Sequence, residues 1–299
     1  MRVAVASGKG GTGKTTVATN LAALLHSRGT SVSYADCDVE EPNGHHFLKP
    51  AWQSEEPQYV TVPAIDTSSC LGESCQRCIQ ECRFNALIWM VHSVLVFPEL
   101  CHGCGLCMYL CPEACIAEDK RRIGVLKTGR AGGIPVTSGE LRIGEAMAPP
   151  LIRKALAAVQ PGEVEIVDAP PGASCPVIAC VQDVDFVLLV AEPTPFGLYD
   201  LQLAAKLMDK LEQPFGVIIN RDGMGDEGVD RYIEESGIPL LGRVPYSRQA
   251  AEISSQGGLL VEHLPELKAA YDAVWMAICR ESGRAALQSD GRFAREGPQ

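Results

Sequence analysis

The chain has 299 residues, of which 46% are hydrophobic, and its 26 basic and 37 acidic residues give a net charge of −11. This length suits one large domain or two ordinary ones of about 150 residues each. The acidic balance disfavours binding to nucleic acid or anionic lipid, and no apolar stretch approaches the about 20 residues that a membrane-spanning helix needs. The first residues also lack the pattern of a secretory signal. We therefore expect a soluble cytoplasmic protein without nucleic acid or stable membrane association.

Apolar strands alternate with helices in both outer parts of the chain. Their spacing predicts strands at 2–6, 31–35, 164–167, 186–191, 215–219 and 240–244, and helices at 14–28, 198–211, 229–235 and 264–280. Near-continuous apolar strands between helices indicate a parallel sheet that is buried on both faces. The predicted fold is a doubly wound, mostly parallel α/β sheet.

The alternation breaks in the middle of the chain, where nine of the 13 cysteines lie between Cys70 and Cys115. In a reducing cytoplasm such a cluster indicates metal ligation rather than disulfides. We therefore predict an outer domain in two parts, 1–62 and 126–282, and a small inserted domain at 63–125. The remaining segment, 283–299, is predicted to be a mobile tail, with a partner-binding tail as the alternative.

A glycine-rich segment, GKGGTGKTT at 8–16, separates the first strand from the first helix and matches the pattern G-x4-G-K-[ST]. Backbone N–H groups of such a loop surround phosphate oxygens, and the positive end of the helix faces the same place. Lys14 is expected at the β and γ phosphates and Thr15 at Mg²⁺. The residues predicted to contact the nucleotide here are Gly8, Lys9, Gly10, Gly11, Thr12, Gly13, Lys14, Thr15 and Thr16.

Two acidic segments follow predicted strands, DCDVEEPN at 36–43 and DAPPG at 168–172. An acid that ends a strand beside a phosphate loop can hold Mg²⁺, usually through water, so we assign Asp36 and Asp168 to the metal shell. Gly172 can offer its N–H to the γ-phosphate. The alternative for the first segment is that its aspartates only end a strand and cap a turn.

The extra lysine in KGGTGKTT, Lys9, resembles the deviant phosphate loop of the superfamily of MinD, ParA, Mrp and the nitrogenase iron protein. The resemblance implies a homodimer with nucleotide at the interface, in which Lys9 reaches the nucleotide of the partner. The alternative is a loop lysine that serves its own phosphates. The resemblance also implies that Asp38 positions or deprotonates the attacking water, that Asn43 belongs to the nucleotide site, and that Asn220 and Arg221 recognise adenine.

The segment CHGCGLCMYLCP at 101–112 has the spacing C-x2-C-x2-C-x3-C-P of bacterial ferredoxins, in which three cysteines bind one 4Fe-4S cluster and the fourth binds its neighbour. A zinc site would not need the C-x3-C-P ending of this segment, which argues against zinc. A related segment at 70–82 has a first gap of four residues, and Arg83 replaces the proline. The predicted ligands are Cys70, Cys75, Cys78 and Cys111 for the first cluster, and Cys82, Cys101, Cys104 and Cys107 for the second.

Alternatives stay open for the other cysteines. The longer gap leaves a three-iron, labile or differently ligated first cluster possible, and Cys115 is a packed thiol or an alternative ligand. The segment 86–97 is expected to form strands and a turn between the two halves. Cys175, with or without Cys180, is a candidate for a bridging metal in a dimer, whereas their five-residue gap favours two buried thiols on different helix faces.

The chain as a whole is similar to MinD-type ATPases with an inserted, α+β ferredoxin-like domain, as found in anaerobes, on stretches such as DCDVEEPN, PELCHGCG and EPTPFGLYDL. This resemblance implies an Mg²⁺-dependent ATPase whose nucleotide state gates electron transfer through two 4Fe-4S clusters to a partner protein. The alternatives are an Mrp-like carrier or scaffold for iron–sulfur or other metal clusters, and a ParA-like positioning ATPase whose clusters sense redox state.

Overall fold

The structure, a computed structural model, describes residues 1–283, so nearly all of the predicted tail at 283–299 lies outside the described residues. The strands are β1 (Arg2–Ala6), β2 (Val32–Asp36), β3 (Ala51–Ile65), β4 (Leu87–Met90), β5 (Ser93–Val96), β6 (Ile116–Ala131), β7 (Ile134–Leu141), β8 (Val164–Asp168), β9 (Phe186–Ala191), β10 (Phe215–Asp222) and β11 (Leu240–Pro245). The helices are α1 (Lys14–Ser27), α2 (Gly44–Leu48), α3 (Arg77–Gln80), α4 (Leu106–Leu110), α5 (Pro149–Ala157), α6 (Cys175–Val181), α7 (Pro195–Lys210), α8 (Gly228–Ser236), α9 (Arg248–Ser255), α10 (Leu260–His263) and α11 (Pro265–Glu281).

The chain divides into two compact units. Within the described residues, the first comprises 1–55, 126–140 and 152–283, and the second comprises 56–125 and 141–151. The segment 141–151 joins the second unit because the Arg142 N–H donates to the carbonyl oxygen of Ile123 over 2.9 Å and Glu145 forms a buried ion pair with Arg121. Charge pairing of this kind has no periodic signature in the sequence.

The first unit is built on a parallel sheet with the strand order β11-β10-β9-β1-β8-β2-β7, followed by the ends of β6 and β3 that belong to this unit. Each of the neighbouring pairs from β11 to β7 is parallel. The mostly parallel α/β fold predicted from the apolar strands is therefore confirmed, and the carboxyl ends of β1, β2 and β8 share one edge of the sheet.

Apolar side chains from the central strands and from two long helices form the core of this unit. Ile166 on β8 and Phe186 on β9 are at most 1% exposed, as is Leu21 on α1, and Tyr271 and Trp275 on α11 are at most 2% exposed. Burying each such side chain contributes roughly 1.5–3 kcal/mol relative to leaving it in water. The described elements here match the predicted ones within a few residues, because one buried face repeats along each of them.

Two long strands occupy a glycine-rich region for which no strand was expected. β6 and β7 span most of 116–141 and are joined by a turn at Gly132, whose φ of +57° is left-handed. Residue 129 in β6 is a glycine because a Cβ there would meet the carbonyl oxygen of Ala51 at 2.4 Å. Gly129 thus permits close approach of two backbones and Gly132 permits the turn, and such glycines weaken the strand pattern in the sequence.

The second unit contains the antiparallel pair β4–β5, the short helices α3 and α4, and the parts of β3 and β6 that it includes. The pair β4–β5 confirms the strands and turn expected at 86–97. A cluster of buried apolar residues in this unit consists of Val62, Ala86 and Cys101, with Val60 and Cys82 packed against it. Among residues 1–283, no helix is long and apolar enough to cross a membrane.

Candidate functional site

The phosphate loop connects β1 to α1, and its glycines are required by close contacts. Gly13 has a φ of +90°, and a Cβ there would meet the amide nitrogen of Asn220 at 2.3 Å. That Asn220 amide donates to the carbonyl oxygen of Thr12 over 2.7 Å. A Cβ on Gly8 would meet the carbonyl oxygen of Asp200 at 2.1 Å. The loop is therefore held from behind by α7 and β10, which leaves its N–H groups free to face a ligand.

Two aspartates stand side by side at the carboxyl ends of neighbouring strands, because Asp36 on β2 pairs in register with Asp168 on β8. Asp36 accepts hydrogen bonds from the N–H groups of Gly44, over 2.8 Å, and Asp38, over 3.2 Å. The Tyr34 hydroxyl donates to Asp168 Oδ2 over 3.0 Å, whereas Asp168 Oδ1 is buried without a hydrogen-bond partner. A carboxylate oxygen left without a donor is suited to a cation or to the water that a cation holds.

Burial raises the pKa values of these acids, and the charge of Asp168 raises those of Asp36 and Asp38 further. Burial and the charge of Asp168 raise the pKa of Asp36 well above its usual value. Burial raises the pKa of Asp168 against the opposing effects of the Lys14 ammonium and of the Thr15 and Tyr34 hydroxyls. Burial, partly opposed by Lys14, raises the pKa of Asp38 to about 6. Two adjacent buried carboxylates are costly when both are charged, and a divalent cation would relieve that cost.

A cleft of about 630 Å³ opens in front of the phosphate loop. It brings together most of the loop with Asp38, Asn43 and Arg221, as the sequence predicts. Other lining residues were not expected from the sequence, namely Glu41, His46, Phe47, Pro171, Ser254, Ser255, Gln256 and Gly257. A second cavity of about 210 Å³ includes Asn220 and also Tyr246 and Ser247, which follow β11. The register of Asn220 with Val244 on β11 explains why the segment after β11 lies there.

Two predicted contacts differ in the structure. The Gly172 N–H, expected at the γ-phosphate, donates to the carbonyl oxygen of Ser7 over 2.9 Å. The Lys9 ammonium lies 3.6 Å from Glu192 Oε2, and the other carboxylate oxygen of Glu192 pairs with Arg221. Glu192 is only 7% exposed. A buried acid just after β9 thus links the first lysine of the loop to an arginine in β10. This acid begins the stretch EPTPFGLYDL, but nothing in that stretch predicts its ion pairs.

The predicted cluster ligands line two cavities of the second unit. A cavity of about 250 Å³ is lined by Cys82, Cys101, Cys104 and Cys107 together with Cys78. A smaller cavity of about 20 Å³ is lined by Cys70, Cys75, Cys78 and Cys111 together with Cys115. Each set of four is the set that the ferredoxin spacing assigns to one cluster. Within residues 1–283, no three histidine, cysteine, aspartate or glutamate side chains converge as the ligands of one metal ion do.

The four-residue gap after Cys70 is absorbed by a short 3-10 turn at Gly72–Ser74. The Gly72 N–H donates to Cys70 Sγ over 3.5 Å, and the Gly103 N–H donates to Cys101 Sγ over 3.4 Å. Cys70 and Cys101 therefore have the same local hydrogen bond in the two halves. Burial, with the charges of Cys70 and Cys111, raises the pKa of the Cys78 thiol, so this thiol would require a metal to ionise near neutral pH.

Cys175 and Cys180 point to different surroundings on α6. Cys175 is exposed at the first residue of the helix, whereas Cys180 is 1% exposed and hydrogen-bonds the Cys37 thiol, which raises the pKa of Cys37. The prediction that their spacing places them on different helix faces is confirmed, whereas the prediction that both thiols are buried is wrong for Cys175, because it opens the helix at the surface. Cys180 is thus committed to the interior of the first unit.

A phosphate loop between the first strand and helix of a parallel sheet, with acids at the neighbouring strand ends, defines a P-loop nucleotide-binding protein. Residues 3–261 match the model of the CobQ/CobB/MinD/ParA nucleotide binding domain, and the chain belongs to this family.

Several other proteins are similar to this chain. An uncharacterized protein of Methanocaldococcus jannaschii is 32% identical over 229 residues, which cover 76% of this chain and 80% of that protein. The iron-sulfur cluster carrier protein of Pyrococcus abyssi is 24% identical and is matched over 86% of this chain and 77% of its own length. The septum site-determining protein MinD of Pyrococcus horikoshii, solved with Mg-ADP, shares the fold with a TM-score of 0.56 at 18% identity, covering 91% of this chain and 93% of that one.

Proposed function

We propose that the protein is an Mg²⁺-dependent ATPase in which the nucleotide state of the first unit controls iron–sulfur chemistry in the second. The observation that carries this proposal is the presence in one chain of a phosphate-loop cleft, with Lys14, Thr15 and Asp38 on its wall, and of two cavities lined by cysteines in ferredoxin spacing. A positioning ATPase would need only the first of these features.

In the cleft, the loop N–H groups and Lys14 would hold the β and γ phosphates, so that negative charge that develops during transfer meets fixed positive charge. Asp38 lies half-buried on the same wall and would align a water molecule with the γ-phosphorus. The water oxygen would bond to phosphorus as the bond to the β–γ bridging oxygen breaks, one proton of the water would pass to the Asp38 carboxylate, and ADP and phosphate would leave. Asn220 and the segment at Tyr246 and Ser247 would form the adenine pocket.

The acids beside the loop fit a divalent cation. Thr15, Asp168 and Asp36 supply a hydroxyl and two carboxylates, and the unpartnered Asp168 Oδ1 is a free acceptor. Mg²⁺ bound there would neutralise charge on the β and γ phosphates. Asp36 would hold the backbone N–H groups of Gly44 and Asp38 in place, which fixes the position of Asp38.

The Lys9–Glu192 ion pair bears on the homodimer that we propose, with nucleotide at its interface. Lys9 is bound within its own chain, 3.6 Å from a buried carboxylate that also holds Arg221. For Lys9 to reach the nucleotide of a second copy it would leave Glu192, whose charge would remain paired with Arg221. Arg221 lines the cleft itself, so nucleotide would contact one end of this linkage directly.

In the second unit we propose two 4Fe-4S clusters, one in each cysteine cavity, within an inserted ferredoxin-like domain at 63–125 between the ATPase segments 1–62 and 126–282. The compact grouping of 56–125 supports the insert, and the segment 141–151, within the second ATPase segment, packs with it in the same unit. Cys78 lines both cavities, which supports two clusters close enough for an electron to pass between them. Each cluster would store one electron. The surrounding residues would exclude water and hold the thiolates.

A cluster carrier is the second candidate function. Relatives from Pyrococcus abyssi and Pyrococcus furiosus are named iron-sulfur cluster carrier proteins, and they match 86% of this chain. Cys104 is exposed although it is a predicted ligand, which would allow attack by an acceptor thiol. In this function the nucleotide state would control release of iron and sulfide rather than of electrons.

One mixing experiment separates the two functions. The anaerobically purified, dithionite-reduced protein is mixed with oxidised cytochrome c, and separately with an apo-ferredoxin, in the presence and absence of MgATP. Electron transfer predicts oxidation of the clusters with iron retained on the protein. Carriage predicts loss of iron from the protein and its appearance on the apo-ferredoxin. Zinc in place of iron and acid-labile sulfide would contradict both.

A further inference from the structure

Cys115 is not one of the eight ligands that the ferredoxin spacing predicts, yet it lies among the four predicted ligands of the first cluster. It is 8% exposed and lines the same cavity as Cys70, Cys75, Cys78 and Cys111. Its sulfur is 3.4 Å from Cys111 Sγ. Five cysteines therefore line one cavity, whereas a 4Fe-4S cluster takes four ligands.

The turn that brings Cys115 to Cys111 occurs twice in the chain, which supplies an internal comparison. In the first cavity the Ala114 N–H donates to the Cys111 carbonyl oxygen over 3.2 Å, and Ala114 has a left-handed φ of +48°. In the other half the Asn85 N–H donates to the Cys82 carbonyl oxygen over 3.2 Å, and Asn85 has a φ of +52°. Both turns thus send the following residue back toward the cysteine that opens them.

The residue that each turn delivers differs. Ala86 occupies in the second half the position that Cys115 occupies in the first, and the carbonyl oxygen of each accepts a backbone hydrogen bond of 2.8 Å, Ala86 from Phe97 and Cys115 from Asp66. Ala86 is 1% exposed and lines the larger cavity. The backbone at this position is therefore built to point a side chain into the cavity, and only one half places a sulfur there.

The two cavities differ in size in the same sense. The cavity with Ala86 has a volume of about 250 Å³, whereas the cavity with Cys115 has about 20 Å³. A thiol is larger than the hydrogen it replaces on the alanine methyl, so Cys115 accounts for part of the difference. A cluster bound by Cys70, Cys75, Cys78 and Cys111 would contact the Cys115 sulfur unless that side chain turned away.

We propose that Cys115 is an alternative ligand of the first cluster and can take the place of Cys111. This inference rests on the proposed clusters and goes beyond them, because it makes the first site a five-thiol site capable of ligand exchange. In the exchange the sulfur of Cys115 bonds to the iron that Cys111 releases, and the proton of the Cys115 thiol passes to Cys111. No electron is gained or lost, so no oxidant is needed.

The test compares matched variants of the two halves in the full-length protein, purified anaerobically. Cys111→Ala should keep at least about nine-tenths of the wild-type iron and sulfide, since Cys115 replaces the lost ligand, whereas Cys82→Ala should lose up to about half, the share of one cluster of two. The double variant Cys111→Ala/Cys115→Ala should lose as much as Cys82→Ala. Electron paramagnetic resonance of the reduced proteins identifies which cluster is affected.

A gain-of-function variant tests the same geometry without disturbing the first site. Adding Ala86→Cys to Cys82→Ala should restore iron and sulfide toward the wild-type content, because the repeated turn then delivers a thiol to the second cavity. ATP turnover and the signal of the other cluster show whether Cys111→Ala folds. If it does not fold, restoration of iron by Ala86→Cys in Cys82→Ala tests the proposal instead.

Three results would overturn the inference. The first is equal loss of iron in Cys111→Ala and Cys82→Ala, the second is equal iron in Cys111→Ala and the double variant, and the third is failure of Ala86→Cys to restore iron. Wild-type protein without iron would instead contradict the proposed clusters themselves, so the two failures are distinguishable.

Discussion

The two units of the chain bury different kinds of side chain. The first unit has an apolar core that includes Leu21, Phe186 and Trp275, each at most 2% exposed. In the second unit, a buried apolar cluster consists of Val62, Ala86 and Cys101, and cysteines line both cavities. Leu87, Ile123 and Leu151 of the second unit are buried as well. We therefore expect the first unit to fold without its ligand, and the second unit to depend more strongly on what its cysteines bind.

The largest expected effect comes from a substitution that disables the nucleotide site of the first unit and leaves the second unit unchanged. Lys14→Ala should lower ATP turnover by about 10³-fold or more, because the phosphates lose a buried positive charge. Iron and sulfide content should stay at the wild-type level. Phosphate release and iron analysis measure the two quantities. Lys268→Ala, on the exposed face of α11, is the control and should change neither. Loss of iron from Lys14→Ala would contradict the expectation that the second unit binds its iron independently of the nucleotide site.

A second substitution tests the role of Asp38 in the cleft. Asp38→Asn should slow ATP turnover by about 10²-fold while sparing nucleotide binding, since an amide aligns water less well than a carboxylate. Because the pKa of Asp38 is raised to about 6, wild-type turnover should fall as the pH drops below this value, and turnover of the variant should not. Rates across pH 5–8 check this. Lys268→Ala, on the exposed face of α11, is again the control and should leave the pH profile unchanged.

Removal of iron tests the dependence of the second unit on its ligand. Anaerobic chelation should increase the rate of proteolysis within 56–125 by about tenfold or more, because a segment without its metal opens more often. Nucleotide binding by the first unit should persist. Mass spectrometry of the fragments locates the cuts. Equal protection of 56–125 with and without iron would show that this unit folds on its apolar residues alone.

The smallest expected effect concerns the repulsion between Asp168 and Asp36. Asp168→Asn should raise the free energy of unfolding of the nucleotide-free protein by about 1 kcal/mol at neutral pH, since an amide keeps the Tyr34 hydrogen bond and carries no charge. The folded-state pKa of Asp168 is raised, so its charge costs stability only as the pH rises above the unfolded value of about 3.9. The gain should therefore vanish as the pH falls toward 4, as denaturant titrations would show. A loss of stability would contradict the repulsion.

The sequence predicts the first unit well because its signals are periodic and local. Apolar runs fix β1, β8 and β9 within one residue, and the phosphate loop is a contiguous motif. The sequence does not predict β6 and β7, since Gly129 reflects close backbone contact and Gly132 reflects a left-handed turn, and neither has strand propensity. Local sequence patterns indicate which segments form strands and helices, but they do not indicate which distant segments are in backbone contact.

The candidate site follows the same division. The loop, the acids and the two cysteine sets could be predicted because their spacing is short. Tyr246 enters the nucleotide site through strand register, and Glu192 acts through ion pairs with residues far along the chain. Cys115 is visible in the sequence, but its distance from Cys111 depends on the left-handed turn at Ala114.

The central claim is that nucleotide bound in the first unit controls iron–sulfur chemistry in the second. It is tested most directly by stopped-flow absorbance of the reduced protein mixed with oxidised cytochrome c, with and without MgATP, in the wild type and in Lys14→Ala. We expect MgATP to change the rate of cluster oxidation several-fold in the wild type and not in the variant, with iron retained. Equal rates with and without MgATP in the wild type would contradict it.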